Sequence, residues 1–203
     1  MTSVEPQEGV FNLFFANTAD EAYRNQMPIL VGPLVYYSGS ADWIKQLPRA
    51  QMIDAMNGYI KLIMGEIKKL KVVGRPIYKV GNEAYDNNNF LMQTIGPEYI
   101  DIAFQAARDA DPTAILIYND YDNHDQTSAV WENQYKRTKD IADRLYAKGL
   151  IDGVGIQMGL DGANPPNPQD IVATLPTYPV PAYVTEIAVK HEERAGEHAG
   201  PLH

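Results

Sequence analysis

Two kinds of hydrophobic pattern alternate along the chain, one typical of helices and the other of buried strands. Apolar positions spaced three and four residues apart predict amphipathic helices over residues 51–71, 97–110 and 128–149, with a shorter helix after Pro168. Between them lie short apolar runs without strict polar alternation, which are typical of strands covered on both faces. These runs predict strands over residues 29–36, 77–80, 114–118, 153–158 and 182–189. Strand followed by helix, repeated along the chain, predicts an α/β fold with a parallel sheet.

Length and charge narrow the class of protein. The chain has 203 residues, with 17 Lys and Arg against 26 Asp and Glu, and 45% of its residues are hydrophobic. This size predicts one globular domain. The net charge of −9 disfavours a nucleic-acid partner, which requires clustered basic residues. No apolar run is long enough to cross a membrane. Because cysteine is absent, disulfides, thiolate metal sites and thiol catalysis are excluded.

Polar residues follow the C-terminal ends of the predicted strands. Helices return the chain to the other side of a parallel sheet, so these ends gather at one edge. Glu83 and Glu186 are therefore expected to face one another across a cleft. Two carboxylates about 5 to 5.5 Å apart are what retaining glycoside hydrolysis uses, one as acid/base and one as nucleophile. For either residue alone, the alternative is a solvated or ion-paired loop carboxylate. The other polar residues at these ends are Asn82, Asn119, Asp120, Tyr121, Gln157 and Thr185.

Two other motifs only partly match known ligand-binding patterns. Asp120, Asp122 and His124 imitate the start of a calcium loop, but the sixth position is not Gly and position 131 is Trp rather than Glu. The glycines at 153, 155 and 159 nearly form a dinucleotide motif, but they lie within a strand rather than in a turn into a helix. We therefore expect neither a metal nor a cofactor.

Six short motifs follow one another along the chain. They are Val-Gly-Asn-Glu at 80–83, Ile-Gly-Pro-Glu-Tyr-Ile at 95–100, the segment 103–112, Tyr-Asn-Asp-Tyr at 118–121, Ile-Asp-Gly-Val-Gly-Ile-Gln at 151–157 and Val-Thr-Glu at 184–186. In order and spacing, these motifs resemble glycoside hydrolase family 10, the endo-β-1,4-xylanases. The resemblance runs from about residue 5 to residue 189 and implies a (β/α)8 barrel, a retaining mechanism on β-1,4-xylan, Glu83 as acid/base and Glu186 as nucleophile. It also implies that Asn82 hydrogen-bonds the sugar 2-hydroxyl or positions the nucleophile, that Gln157 lines the cleft and that Tyr121 stacks on a sugar.

Further aromatic residues lie near these motifs. Tyr36, Trp43 and Tyr85 are candidates, with Tyr121, for stacking on sugar rings, although each is equally suited to core packing. We count them as substrate-binding candidates.

The chain also departs from the family. Pro33 and Gly159 stand where the resemblance has His residues, and the second of these would support the nucleophile. Counterparts of the first, most of the second and the eighth βα units are missing. We therefore expect an incomplete barrel over residues 1–189, with five or six parallel strands and a polar tail over 190–203. Self-association, the segment 11–15 or the tail would cover the open edges.

Two classes of function follow. The first is a retaining hydrolase of internal β-1,4-xylosidic bonds with weak turnover, whose partner is xylan or a xylo-oligosaccharide. The second is a non-catalytic or residual glycan-binding domain, and a third possibility is another retaining β-glycosidase of the same clan. The resemblance implies an extracellular protein, although residues 1–10 lack the basic and apolar pattern of a signal peptide.

Overall fold

The computed structural model describes residues 7–9, 16–128, 132–162 and 165–190. Five parallel strands form one sheet in the order in which they occur along the chain. The strands are β1 (Leu30–Val31), β2 (Ile77–Asn82), β3 (Ile115–Tyr121), β4 (Gly153–Asp161) and β5 (Ala182–Lys190). The helices are α1 (Ala16–Arg24), α2 (Asp42–Lys45), α3 (Arg49–Ile67), α4 (Phe90–Thr94), α5 (Tyr99–Ala110), α6 (Glu132–Ala147) and α7 (Pro168–Thr174), and a 3-10 turn spans Leu175–Thr177.

This architecture confirms the predicted α/β fold as an incomplete (β/α)8 barrel. Every predicted strand is present, but β1 is much shorter than predicted. Gly32 and Pro33 interrupt it, and proline has no N–H for the ladder. Pairing resumes only at an isolated bridge between Val35 and Gly81. Helices α1, α2 and α4 are not among the predicted helices, because at nine, four and five residues they are too short to show a clear helical period.

The apolar stripe of α3 forms much of the core. Met52, Met56, Ile60 and Met64 recur every four residues and are fully buried. They belong to the same hydrophobic cluster as Phe104 of α5, and the two helices pack against each other. Burial of one such side chain contributes about 1.5 to 3 kcal/mol. This layer holds β2 and β3 in place and thereby fixes the loops at their C-terminal ends.

The two edge strands differ from the centre of the sheet. In the described part of the chain, β5 pairs only with β4, and Val184, Ile187 and Val189 are 55%, 65% and 63% exposed. Leu30 of β1 is 43% exposed at the opposite edge. An edge strand with exposed apolar residues is a site at which another chain can pair or pack.

The domain boundary predicted at residue 189 stays a prediction. β5 ends at Lys190, one residue beyond it, while the predicted tail from residue 191 onward and the segment 11–15 lie outside the described residues. Over the described ranges, no helix has the length and apolar character needed to cross a bilayer.

Candidate active site

The C-terminal ends of β2 to β5 bring the predicted polar residues together. Asn82 of β2 is in register with Asn119 of β3, and Gln157 of β4 is in register with Glu186 of β5. Glu83 immediately follows β2. Because all four strands are parallel, these side chains lie at the same edge of the sheet.

Glu83 is held by two side chains from other strands or loops. The Tyr36 hydroxyl donates to Glu83 Oε2 at 2.7 Å, and Gln157 Nε2 donates to Glu83 Oε1 at 3.0 Å. The backbone of Glu83 has φ +49°, a left-handed conformation that is uncommon for a non-glycine residue, and its N–H donates to the Asn119 carbonyl at 3.1 Å. Strained backbone of this kind is concentrated at functional sites.

Tyr36 remains a hydrogen-bond donor across the neutral range. Burial, together with its hydrogen bond to Glu83 and the negative charge of that carboxylate, raises the pKa of Tyr36 to about 12. The hydroxyl therefore keeps its proton at neutral pH. Tyr36 was predicted as a stacking residue, and its observed contact is with the carboxylate itself.

A path of amide groups connects Glu83 with Glu186. Gln157 Nε2 also donates to Asn82 Oδ1 at 3.2 Å, and Asn119 Nδ2 donates to the same oxygen at 2.7 Å. Asn119 Nδ2 also donates to Glu186 Oε1 at 3.4 Å. The two carboxylates therefore lie at opposite ends of one continuous hydrogen-bonded network. The distance of 5 to 5.5 Å between them stays a prediction.

Glu186 lies on the edge strand and is more open to solvent. Its side chain is 51% exposed, and Lys79 Nζ of β2 contacts its Oε1 at 3.0 Å. Lys79 is not among the predicted site residues. A single lysine inside an otherwise apolar strand was a signal for it, since lysine is rarely buried without a partner.

A buried carboxyl group lies behind Glu83. Asp120 is fully buried and accepts hydrogen bonds from the Tyr118 hydroxyl at 2.6 Å, the Tyr121 N–H at 3.0 Å and the Gln134 amide. The Tyr118 hydroxyl in turn accepts the N–H of Ala84, the residue after Glu83. Burial raises the pKa of Asp120 to about 7.

The calcium-like motif is not assembled as a metal site. Protein donors surround the Asp120 carboxyl, as described above. Over the described ranges, no group of three or more His, Asp or Glu side chains is arranged to hold a metal ion.

The remaining aromatic candidates fall into two groups. Tyr121 is 37% exposed and lines a cavity of about 260 Å³ together with Gln157, Gly159 and Glu186. Tyr85 instead lies against the Arg137 guanidinium, 5.5 Å from the ring centre, and Trp43 in α2 packs against the hydrophobic core. Tyr121 thus shares a cavity with a predicted catalytic carboxylate. The stacking roles stay predictions.

The chain is similar to known glycoside hydrolases in sequence and in fold. The family model described as Glycosyl hydrolase family 10 matches residues 1–200. The chain is 34% identical over 161 residues to endo-1,4-beta-xylanase A of Thermotoga maritima, a match that covers 71% of this chain and 14% of the relative.

Solved structures show the same fold. The native xylanase 10B of Thermotoga maritima has a TM-score of 0.80 and 27% identity, with coverage of 97% of this chain and 61% of the neighbour. The xylanase 10B of Thermotoga petrophila RKU-1, in complex with xylobiose, has a TM-score of 0.77 and 27% identity, with coverage of 93% and 58%. The chain therefore spans less than two thirds of each of these proteins.

Proposed function

Because the chain belongs to glycosyl hydrolase family 10, we propose that it is a retaining glycoside hydrolase that cleaves internal β-1,4-xylosidic bonds of xylan, with weak turnover. In this proposal Glu83 is the acid/base and Glu186 is the nucleophile. The observation that carries it is the continuous hydrogen-bonded path from Glu83 to Glu186. The xylanase relative and the neighbour solved with xylobiose support the substrate class.

The first step forms a glycosyl-enzyme. Glu186 attacks the anomeric carbon while protonated Glu83 donates its proton to the glycosidic oxygen, so that the bond to the leaving sugar breaks. Glu83 becomes ionised in this step. The Tyr36 hydroxyl can donate to the ionised carboxylate or rotate and accept from the protonated form, so the contact suits both states.

The second step releases the sugar. Glu83 takes a proton from a water molecule, whose oxygen attacks the anomeric carbon, and the bond to Glu186 breaks with the electron pair returning to the carboxylate. Gln157, Asn82 and Asn119 connect the two carboxylates, and Gln157 and Asn82 are the proposed contacts for the sugar hydroxyls. Tyr121, at the cavity beside Glu186, is the proposed stacking platform.

A glycan-binding domain without turnover is the second candidate. The position of Glu186 favours it, because the proposed nucleophile is half exposed on an edge strand and Gly159 provides no supporting imidazole. Catalysis depends on a preorganised, water-excluded site. A cleft of this kind can still bind a xylo-oligosaccharide.

We further propose that a second copy of the chain covers the open edges of the sheet and that the protein acts outside the cell. Exposed apolar residues on β5 and β1 support the association. Light scattering on dilute protein tests it. A monomer at all concentrations contradicts this proposal.

Reducing-sugar release from xylan, measured beside binding to the same polymer, tests the function. We expect the wild type to release sugar and Glu186→Gln to bind the polymer without releasing any. Binding by the wild type without release supports the glycan-binding candidate. Cleavage of another β-linked polymer but not of xylan supports a different retaining β-glycosidase of the clan.

A further inference from the structure

Lys79 occupies an unusual position for a lysine. It lies within β2, and only 13% of its side chain is exposed. Protein covers most of the side chain, while the contact of its ammonium group with Glu186 lies open to solvent. Its partner is Glu186 Oε1 at 3.0 Å, although the two residues are 107 positions apart and belong to strands separated by β3 and β4.

Glycines leave room on both sides of this ion pair. At Gly32, a Cβ would lie 3.1 Å from the Lys79 Cβ and 2.6 Å from its carbonyl oxygen. At Gly159, which lines the same cavity as Glu186, a Cβ would lie 3.1 Å from Asp122 Oδ1. Gly159 therefore provides no side chain of its own to Glu186 where the resemblance has an imidazole, and a cation approaches from β2 instead.

We propose that Lys79 is a positioning residue for Glu186 and takes over the support that a histidine at position 159 would give. The inference rests on the proposed function, because Glu186 acts as a nucleophile only there. Lys79 contacts the carboxylate, with Asn119 as the other donor at 3.4 Å. Without Lys79, Asn119 would be the remaining side-chain donor to Glu186 among the described residues, at the longer distance of 3.4 Å.

The charge of Lys79 also suits the second step of the reaction. Glu186 loses its negative charge when the glycosyl-enzyme forms and regains it when water attacks the anomeric carbon and the ester bond breaks. An ammonium group beside the departing carboxylate stabilises that returning charge. Lys79 exchanges no proton in either step.

The kinetic test uses Lys79→Met and Lys79→Arg with a dinitrophenyl β-xylobioside. We expect Lys79→Met to lower kcat about 10- to 100-fold, as for loss of a hydrogen bond to a charged group, with KM changed less than about threefold. Lys79→Arg should recover most of the loss because it keeps the charge. Lys61→Met removes an exposed lysine of α3 and should leave kcat unchanged. An unchanged kcat in Lys79→Met, or equal losses in both Lys79 variants, overturns the proposal.

A spectroscopic test does not depend on turnover. In ¹⁵N-lysine-labelled protein, the Lys79 ammonium signal is assigned by its loss in Lys79→Met. We expect slow hydrogen exchange at this signal in the wild type and in Glu83→Gln, and fast exchange in Glu186→Gln. If the hydrogen exchange of the Lys79 ammonium is equally slow in Glu186→Gln, the pairing of Lys79 with Glu186 is overturned. The signal could depend on Glu186 while the wild type cleaves neither xylan nor the dinitrophenyl β-xylobioside. In that case the proposed function is wrong, and Lys79 is a structural partner of Glu186.

Discussion

The two ends of the carboxylate network differ in how they are built. Glu83 follows a central strand and is held by Tyr36 and Gln157, with the buried Asp120 network behind it. Glu186 lies on the edge strand, is half exposed, and is held by Lys79 and by a longer contact from Asn119. On the same strand, Ile187 and Val189 are open to solvent.

This difference indicates which half of the site depends on the rest of the barrel. The acid/base end is completed by β1 to β4 and their loops. The nucleophile end depends on a strand with one neighbour in the described part of the chain, so its geometry rests on a few polar contacts. We therefore expect the two ends to respond differently to substitution.

The largest expected difference is between Glu186→Gln and Glu83→Gln. Glu186→Gln removes the nucleophile, so no glycosyl-enzyme forms, and cleavage of every glycoside should fall on the order of 10⁵-fold. Glu83→Gln should largely spare formation of the glycosyl-enzyme from a dinitrophenyl xylobioside, because a good leaving group needs little proton assistance. The two variants are compared by burst kinetics on the dinitrophenyl xylobioside and by rates of xylan cleavage. Equal losses in both variants on both substrates contradict the assigned roles.

The second expected effect is a pH dependence of stability that comes from the Glu83 end. The pKa of Asp120 is about 7 in the fold and about 3.9 when unfolded, so the native state binds this proton more tightly. The protonated Asp120 carboxyl therefore contributes to the free energy of unfolding. This contribution is at most about 4 kcal/mol; it is fully present below about pH 4 and is lost as the pH rises through about 7.

Asp120→Asn cannot lose a proton in this range. The free energy of unfolding of Asp120→Asn, measured in urea between pH 4 and pH 8, should therefore fall less with pH than that of the wild type. Asp140→Asn, an exposed position of α6, should retain the wild-type slope. The same slope in Asp120→Asn and the wild type would show that Asp120 is not the group responsible.

The smallest expected effect concerns Gly155, which lies between the two ends. A Cβ at this position would overlap the Asn119 amide and lie 3.1 Å from Thr185 Cγ2. Gly155→Ala should destabilise the fold by about 1 to 3 kcal/mol, the usual cost of overpacking. Gly58→Ala in α3 meets nothing within 4 Å and should stabilise by about 0.5 to 1 kcal/mol. Thermal unfolding of both variants measures the two changes in stability. A Gly155→Ala protein that is as stable as the wild type would show that Gly155 is not tightly packed.

The sequence by itself determined the type and order of the main elements. Helical and strand periods are local, so the apolar stripe of α3 and the apolar runs of β2 to β5 could be recognised without knowledge of their neighbours. The motifs around Glu83 and Glu186 identified the family and the incomplete barrel. The positions of these residues at strand ends were enough to predict that Glu83 and Glu186 lie at one edge of the sheet.

Only the tertiary structure decided which side chains contact the two carboxylates. Tyr36 is 47 residues from Glu83 and Lys79 is 107 residues from Glu186. Such contacts depend on strand register, and the register shifts between Lys79 and Gly81 and again between Ile156 and Gln157. At the second shift, the consecutive residues Thr185 and Glu186 both contact Asn119. A bulge interrupts the alternation of side chains between the two faces of a strand. Counting residues along β5 therefore could not predict the face on which Glu186 lies, and pairing with β4 decided it.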